Sequence, residues 1–123
     1  MKKVYDTINQ YCVEHELLTN GDGIVIGLSG GMDSVCLLQV LAALRNEWQL
    51  RLVCVHVHHG IRGTAADEDA AFAQRLAAKY NISFRLYEMD IPQLAKEQGL
   101  SEEEAGRNYR YRCFEEVRKE LNF

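Results

Sequence analysis

The feature that most constrains the fold is a glycine-rich turn between an apolar run and an amphipathic run. The apolar run, residues 24–26 (IVI), is typical of a short buried strand. After the turn, apolar residues recur at helical spacing, namely at Val35, Leu38, Leu41 and Ala42. The adjacent Gly30 and Gly31 permit backbone conformations that other residues rarely adopt, and they let a bulky group approach closely. The sequence therefore predicts a strand–turn–helix unit.

The residue types in this turn suit an anionic ligand. The amides at the start of the new helix, together with the helix dipole, favour a phosphate. Ser29 and Ser34 add hydroxyl donors, and the Asp33 carboxylate is a ligand type for a Mg²⁺ ion that bridges to phosphate oxygens. The turn lacks the lysine of a Walker A loop. It matches the G-x-S-x-G nucleophile elbow of serine hydrolases through Gly27, Ser29 and Gly31, but the histidines that follow it all stand at the end of the next strand. The turn therefore predicts a phosphate cradle.

Residues 29–34 (SGGMDS) resemble the SGGxDS pyrophosphate loop of the N-type ATP pyrophosphatases, which split ATP into AMP and pyrophosphate. The resemblance implies ATP and Mg²⁺ as cofactors. It also implies nucleotide contacts along the whole segment, from Ser29, Gly30, Gly31, Met32, Asp33 and Ser34. Asp33 would hold the metal and act in catalysis. The simpler alternative is a glycine turn with an acidic residue near a helix start and no ligand.

Charge and length limit the classes of partner. A chain of 123 residues forms one domain. Its net charge of −4 argues against binding RNA or DNA unaided, because phosphate binding rests on clustered lysine and arginine. If the substrate is a nucleic acid, most of its binding surface is expected in regions outside this chain.

The cysteines and the apolar runs indicate a cellular compartment. The four cysteines are scattered without a C-x-x-C pair, and Cys36 and Cys54 lie in apolar segments that predict buried thiols. This pattern favours a reducing compartment over a disulfide framework. No apolar run approaches the roughly 20 residues of a membrane span, and the first residues (MKKVYD) lack the apolar core of a signal peptide. We expect a cytoplasmic protein without membrane contact.

Strands and helices alternate along the chain. The predicted elements are a helix over 3–18, strands over 24–28, 50–57 and 83–87, helices over 33–47 and 64–80, a short helix from Asp90 to Gly99, and a last helix from the Ser101–Glu104 capping box towards Leu121. Such alternation predicts right-handed βαβ units, hence an α/β fold with a parallel sheet and helices on both faces, Rossmann-like and truncated. Ligands of such sheets bind at the carboxyl ends of the strands.

Three histidines, His56, His58 and His59, close the second strand. Three imidazoles are a possible zinc site, but no acidic or cysteine residue stands at ligand spacing nearby, so buried or hydrogen-bonded histidines are the simpler interpretation. Residues 55–63 (VHVHHGIRG) resemble the HVNHGLRG segment of the tRNA(Ile)-lysidine synthases, with His58 in place of the common asparagine. The resemblance implies that this strand end frames the adenine with main-chain groups, which makes Val57 a nucleotide contact.

The last helix carries a charged stripe in line with its apolar one. At 100° per residue, one face collects Glu103, Arg107, Arg110, Phe114, Val117 and Leu121. An exposed ion pair between Glu103 and Arg107 is one interpretation. Arginines that serve phosphate are the other, because the guanidinium donates two parallel hydrogen bonds. The spacing resembles the E-x-x-x-R-x-x-R-Y signature of the lysidine synthases, with Gly106 in place of the usual alanine, and the resemblance favours catalytic roles for Glu103, Arg107 and Arg110.

The three motifs together resemble the tRNA(Ile)-lysidine synthases over residues 24–114. The family adenylates the wobble cytidine of an isoleucine tRNA, releases pyrophosphate and then ligates lysine to C2, forming a carbon–nitrogen bond. We expect residues 1–123 to be the N-terminal portion of an ATP-pyrophosphatase (PP-loop) domain, with tRNA(Ile) and L-lysine as partners. A related tRNA thiolase, a non-catalytic ATP-binding module and a serine hydrolase remain alternatives.

Overall fold

The order of strands and helices follows the predicted alternation. The computed structural model describes residues 20–28, 32–60 and 64–123, with the side chains of residues 32, 33 and 64 outside the described part. Its elements are β1 (Gly23–Gly27), α1 (Met32–Trp48), β2 (Arg51–His58), α2 (Thr64–Lys79), β3 (Ser83–Glu88), α3 (Ile91–Gln98) and α4 (Glu102–Leu121). The helix predicted over residues 3–18 lies outside the described residues.

The described strands form one parallel sheet in the order β1-β2-β3. Ile26 of β1 pairs with Cys54 of β2, and Val55 of β2 pairs with Arg85 of β3. The ladder continues past β1, because the Leu28 amide donates to the Val55 carbonyl at 2.9 Å. All three strands therefore end at the same edge of the sheet, and the predicted α/β class is confirmed.

The central strand β2 is buried on both faces because successive side chains point to opposite sides of a sheet. Cys54 belongs to the core that α1 and α2 form on one face, with buried leucines such as Leu38 and Leu44. Val53, Val55 and Val57 face the other core, which α4 covers with Cys113 and Val117. Helices therefore cover both faces, as the continuous apolar character of β2 predicts.

Capping residues set where the last two helices begin and end. The Asp90 side chain accepts the Gln93 amide at 3.1 Å, and α3 stops at Gly99, whose φ is 67°. The Ser101 hydroxyl oxygen accepts the Glu104 amide at 3.1 Å, which confirms the predicted cap at the start of α4. Two tightly capped helices in succession fix the direction in which α4 leaves α3.

Helix α4 runs antiparallel to the strands. Its first half lies at the carboxyl ends, where Gly106 faces His59 beyond β2. Further along, Phe114 packs on Gly27 at the end of β1, and Phe123, just after the helix, fills the space beside Gly23 at the start of β1. The charged half of the α4 stripe is thereby placed at the edge where ligands of parallel sheets bind.

Cys36 departs from the prediction. Cys54 and Cys113 are buried free thiols, but Cys36 is exposed. The stripe of α1 that faces the sheet contains Leu38, Leu41 and Leu44, and a residue two positions before Leu38 points away from it. No helix in the described part of the chain is long and apolar enough to cross a membrane.

Candidate functional site

A buried histidine holds the chain where it leaves β1. His56 is 6% exposed, and its Nδ1 lies 2.6 Å from the Leu28 carbonyl oxygen. Because a carbonyl oxygen only accepts, Nδ1 carries the proton and donates. This bond joins the ends of β1 and β2 and fixes the point from which residues 29–34 depart.

A cavity of about 350 Å³ opens at the carboxyl ends of β1 and β2. Its lining comes from β1, β2, the residues that follow them and α4: Gly27, Leu28, Val55, His56, Val57, His59, Arg110 and Phe114. Apolar residues make up most of this lining, with a small number of polar ones, a combination typical of small-molecule sites. The cavity lies at the edge that the strand–helix alternation predicts for a ligand.

Two of the polar side chains that line this cavity, His59 and Arg110, interact electrostatically. Burial, followed by the charge of Arg110 and by the neighbouring His56 and His58, lowers the pKa of His59 below its usual value. His59 is therefore neutral at pH 7 and offers one donor and one acceptor nitrogen. Arg110 is half-buried and contributes a guanidinium group to the lining beside this imidazole.

Gly106 leaves space beside the His59 ring. A Cβ built on Gly106 would lie 3.6 Å from His59 Cε1 and 3.7 Å from Ile91 Cγ2, both ordinary contact distances. Gly106 stands one turn before Arg110 on α4, so the imidazole packs along the same helix face that carries Arg110. Sequence reasoning did not include His59 among the nucleotide contacts.

Arg107 and Glu103 lie outside the cavity lining. Arg107 Nη2 is 3.2 Å from Glu103 Oε1, and their side chains are 53% and 82% exposed. An exposed pair four residues apart on a helix contributes a few tenths of a kcal/mol, roughly 0.3–0.5. Of the three charged residues predicted on this stripe, the structure places Arg110 in the cavity and the other two at the surface beside it.

The other residues predicted to contact the nucleotide lie partly inside and partly outside the described part of the chain. Val57 is buried and lines the cavity. Ser29, Gly30 and Gly31 lie outside the described residues, Met32 and Asp33 form the start of α1 with their side chains outside the described part, and Ser34 is half-buried in the first turn. Phe114 packs against the core beside Cys113 and Val117, as its place on the apolar stripe predicts, and it also lines the cavity. Its position four residues after Arg110 on the same stripe was the available signal.

The histidines of β2 are engaged in hydrogen bonds. His56 donates to Leu28, and His58 contacts Asp67 and the Gly60 amide. Among the described residues no group of three or more histidine, cysteine or acidic side chains is arranged to hold a metal ion. The structure supports the interpretation of these histidines as hydrogen-bonded residues over the zinc alternative.

Comparisons with known proteins identify relatives of this chain. Over 121 residues the chain is 46% identical to the tRNA(Ile)-lysidine synthase of Caldanaerobacter subterraneus subsp. tengcongensis, a match that covers 98% of this chain and 25% of that protein. The chain thus spans about a quarter of the length of the curated relatives it matches.

Solved structures of at least two other proteins share the fold. One is the NH3-dependent NAD synthetase of Campylobacter jejuni in complex with nitrate, with a TM-score of 0.59 and 20% identity over 96% of this chain and 50% of that one. Another is the U34-tRNA thiolase NcsA of Methanococcus maripaludis with its [4Fe-4S] cluster, with a TM-score of 0.55 and 24% identity over 72% of this chain and 31% of that one. Residues 2–123 match the PP-loop domain. With this match across nearly its whole length and a cavity at the expected strand ends, the chain belongs to the PP-loop domain family.

Proposed function

We propose that the cavity binds the adenosine part of ATP and that residues 29–34 bind its phosphates. The observation that carries the proposal is the position of the cavity: Leu28 lines it, and the chain passes directly from Leu28 into the SGGMDS segment. A volume of about 350 Å³ lies within the range of small-molecule sites. Residues at the ends of β1 and β2 line the cavity, and in this proposal the main-chain groups at Val57 frame the nucleobase.

The start of α1 suits the phosphates and a magnesium ion. The helix begins at Met32, so Asp33 and Ser34 occupy its first turn, where backbone amides and the helix dipole favour negative charge. The Asp33 carboxylate is the ligand type that Mg²⁺ prefers. In the sequence, Asp33 stands five positions after Leu28, which lines the cavity. When bound, the ion would neutralise charge on the departing pyrophosphate.

Arg110 is the group that we propose to act on the reacting phosphate. It lies in the cavity wall, half-buried, whereas Arg107 is paired with Glu103 at the surface. A guanidinium in a partly closed site stabilises negative charge more strongly than one in water. In this proposal Arg110 donates to the α-phosphate of bound ATP and stabilises the further charge that develops there, so its loss weakens ATP binding and slows turnover more strongly still. Glu103 and Arg107, paired at the surface on the same helix, orient the second substrate.

The similarity to lysidine synthases supports a specific reaction for the complete protein. The C2 oxygen of the wobble cytidine attacks the α-phosphorus of ATP and pyrophosphate leaves. The ε-amine of lysine then attacks C2, and AMP leaves with the former C2 oxygen. The reaction forms a carbon–nitrogen bond, so the enzyme is a ligase whose substrates are ATP, tRNA(Ile) and L-lysine.

A tRNA thiolase is the second candidate, because one of the structures that share the fold is a U34-tRNA thiolase with a [4Fe-4S] cluster. The positions of two buried cysteines count against a cluster that uses both of them. Cys54 lies in the core between the sheet and α1–α2, whereas Cys113 lies in the core on the opposite face. These two thiols cannot converge on one cluster while the sheet is intact.

Pyrophosphate release by the product of the complete gene tests the proposal, with tRNA(Ile) and lysine each omitted in turn. We expect one equivalent of pyrophosphate with tRNA alone and continuous turnover only when lysine is also present. Arg110→Ala should slow turnover by roughly a hundredfold or more, as loss of a donor to developing charge does elsewhere. Turnover that requires a sulfur donor instead of lysine would establish the thiolase, and no release under any condition would leave an ATP-binding module.

A further inference from the structure

His58 closes β2 beside the cavity but does not line it. The cavity is lined by its neighbours in the sequence, His56 and His59. His58 is only 8% exposed, and both of its ring nitrogens have partners in the structure. A buried polar ring with two specific partners is positioned to organise the residues around it.

The partners of His58 define its protonation. The Gly60 amide donates to His58 Nδ1 at 3.0 Å, so this nitrogen carries no proton. His58 Nε2 lies 2.9 Å from Asp67 Oδ1 and therefore carries the ring proton and donates it to the carboxylate. Asp67, in the first turn of α2, thus holds His58 in the neutral tautomer that leaves Nδ1 free to accept.

Met89 and Asp90, which directly precede α3, lie against Gly60 on the other side. The φ of Gly60 is 77°, and a Cβ at this position would lie 2.8 Å from both the Asp90 Cα and the Met89 carbonyl oxygen. The Met89 amide donates to the His58 carbonyl and the Ile91 amide donates to the His59 carbonyl, both at 3.1 Å. The backbone of residues 58–60 is therefore held between residues 89–91 on one side and the His58 ring on the other.

We propose that His58 is a positioning residue: by accepting the Gly60 amide at Nδ1, with Asp67 holding its tautomer, it fixes the His59 ring in the cavity wall. His59 is the intervening residue, so a shift of Gly60 moves its side chain relative to Arg110 and the cavity. The ligand in question is the adenine nucleotide of the proposed function, on which this inference rests.

Substitutions at position 58 should differ in whether they keep an acceptor atom for the Gly60 amide. The Oδ1 of an asparagine stands the same number of bonds from Cα as Nδ1 of histidine, so His58→Asn retains an acceptor for the Gly60 amide. It is also the residue that the similar segment of the lysidine synthases carries. The amide of a glutamine lies one bond further out and corresponds to Nε2, so His58→Gln loses the acceptor that Gly60 needs.

Nitrogen chemical shifts of the histidine rings test the tautomer directly in the 123-residue chain. We expect His58 to show an unprotonated Nδ1 and a protonated Nε2 at pH 7. Asp67→Ala should release the ring to mix both tautomers, whereas Asp69→Ala, an exposed acid on the same helix, should leave it unchanged. A protonated Nδ1 in the wild-type chain would overturn the proposal.

The affinity for AMP and the pKa of His59, both measured by NMR, test the positioning role. We expect His58→Asn to bind AMP within about twofold of wild type and His58→Gln to bind roughly fivefold to tenfold more weakly, the loss that one hydrogen bond supports. In the same variants the pKa of His59 should stay low with Asn and rise towards its ordinary value with Gln, because the ring becomes more exposed. Equal behaviour of the two variants in both measurements would refute the role of His58.

The two proposals fail in different ways. If the wild-type chain does not bind AMP, the proposed nucleotide site is wrong, and the pKa of His59 alone then decides whether His58 positions that ring. Urea unfolding of each variant checks that it is folded. A destabilised His58→Asn variant whose His59 pKa has risen would also count against the proposal.

Discussion

The ring of Phe114 occupies the position that a side chain on Gly27 would take. A Cβ built on Gly27 would lie 2.7 Å from Phe114 Cζ, which is closer than non-bonded carbon atoms approach each other in proteins. Gly27 is the last residue of β1, and Phe114 is on α4 four residues after Arg110. The missing side chain therefore lets α4 approach the sheet closely enough to wall the cavity with Arg110.

Gly27→Ala is expected to destabilise the chain by about 1–3 kcal/mol, the usual cost of overpacking a filled site. Urea unfolding of Gly27→Ala, Phe114→Leu and the double variant measures the coupling between the two residues. Because the smaller leucine makes room for the new methyl group, the alanine should cost less in the Phe114→Leu background. Identical costs in both backgrounds would show that the ring is not what excludes a side chain at residue 27.

Gly106→Ala is expected to have the opposite effect. Its new Cβ meets His59 Cε1 and Ile91 Cγ2 at 3.6 and 3.7 Å, so it adds contacts without displacing a neighbour. Alanine also favours a helix interior over glycine by roughly 0.5–1 kcal/mol. The midpoint of urea unfolding should rise accordingly, with an unchanged dependence on urea concentration. A lower midpoint would mean that the His59 ring sits closer to α4 than the structure has it.

The thiols should react in an order set by burial. Cys36 is exposed, whereas Cys54 and Cys113 are buried, and burial raises the pKa of Cys54 to about 11. At pH 8 the thiolate fraction of Cys54 is therefore small, and the reagent has no access to it. In a Cys12→Ser background, iodoacetamide should modify Cys36 first, with the two buried thiols following only on unfolding. Rapid labelling of Cys54 in the folded chain would contradict the described core.

The net charge of −4 carries a prediction about RNA. Because phosphate contacts come from lysine and arginine, this chain alone should bind tRNA(Ile) weakly or not at all near 0.15 M salt. A filter-binding titration with the 123-residue chain measures this. Submicromolar binding would show that the RNA surface lies within these residues.

Period and capping signals were enough to predict the described elements and the edge of the sheet where the cavity opens. The continuous apolar residues of β2 predicted cover on both faces, and Ser101 marked the start of α4. The residues that line the cavity were harder to predict from the sequence. Spacing alone puts Glu103, Arg107 and Arg110 on one face, but only the path of α4 over Gly27 decides that Arg110 reaches the cavity while the other two pair at the surface.

The exposed Cys36 and the buried His58 show why some features of the fold and of the site could not be predicted from the sequence. An apolar neighbourhood in the sequence predicted burial for Cys36, but the direction of its side chain depends on which stripe of α1 meets the sheet. His58 has partners at Gly60 and Asp67, and the second bond depends on the position of α2 relative to the end of β2. Long-range geometry of this kind is not encoded in local pattern.

The central claim is that ATP binds in the cavity beside Arg110, and calorimetric titration of the 123-residue chain with ATP and Mg²⁺ tests it most directly. Arg110→Ala should weaken binding by at least about tenfold, because a hydrogen bond to a charged group is lost from a partly buried site. Arg112→Ala, an exposed arginine on the same helix, serves as the matched control and should bind as wild type does. Equal affinity of Arg110→Ala and wild type, or an equal loss in both variants, would contradict the account.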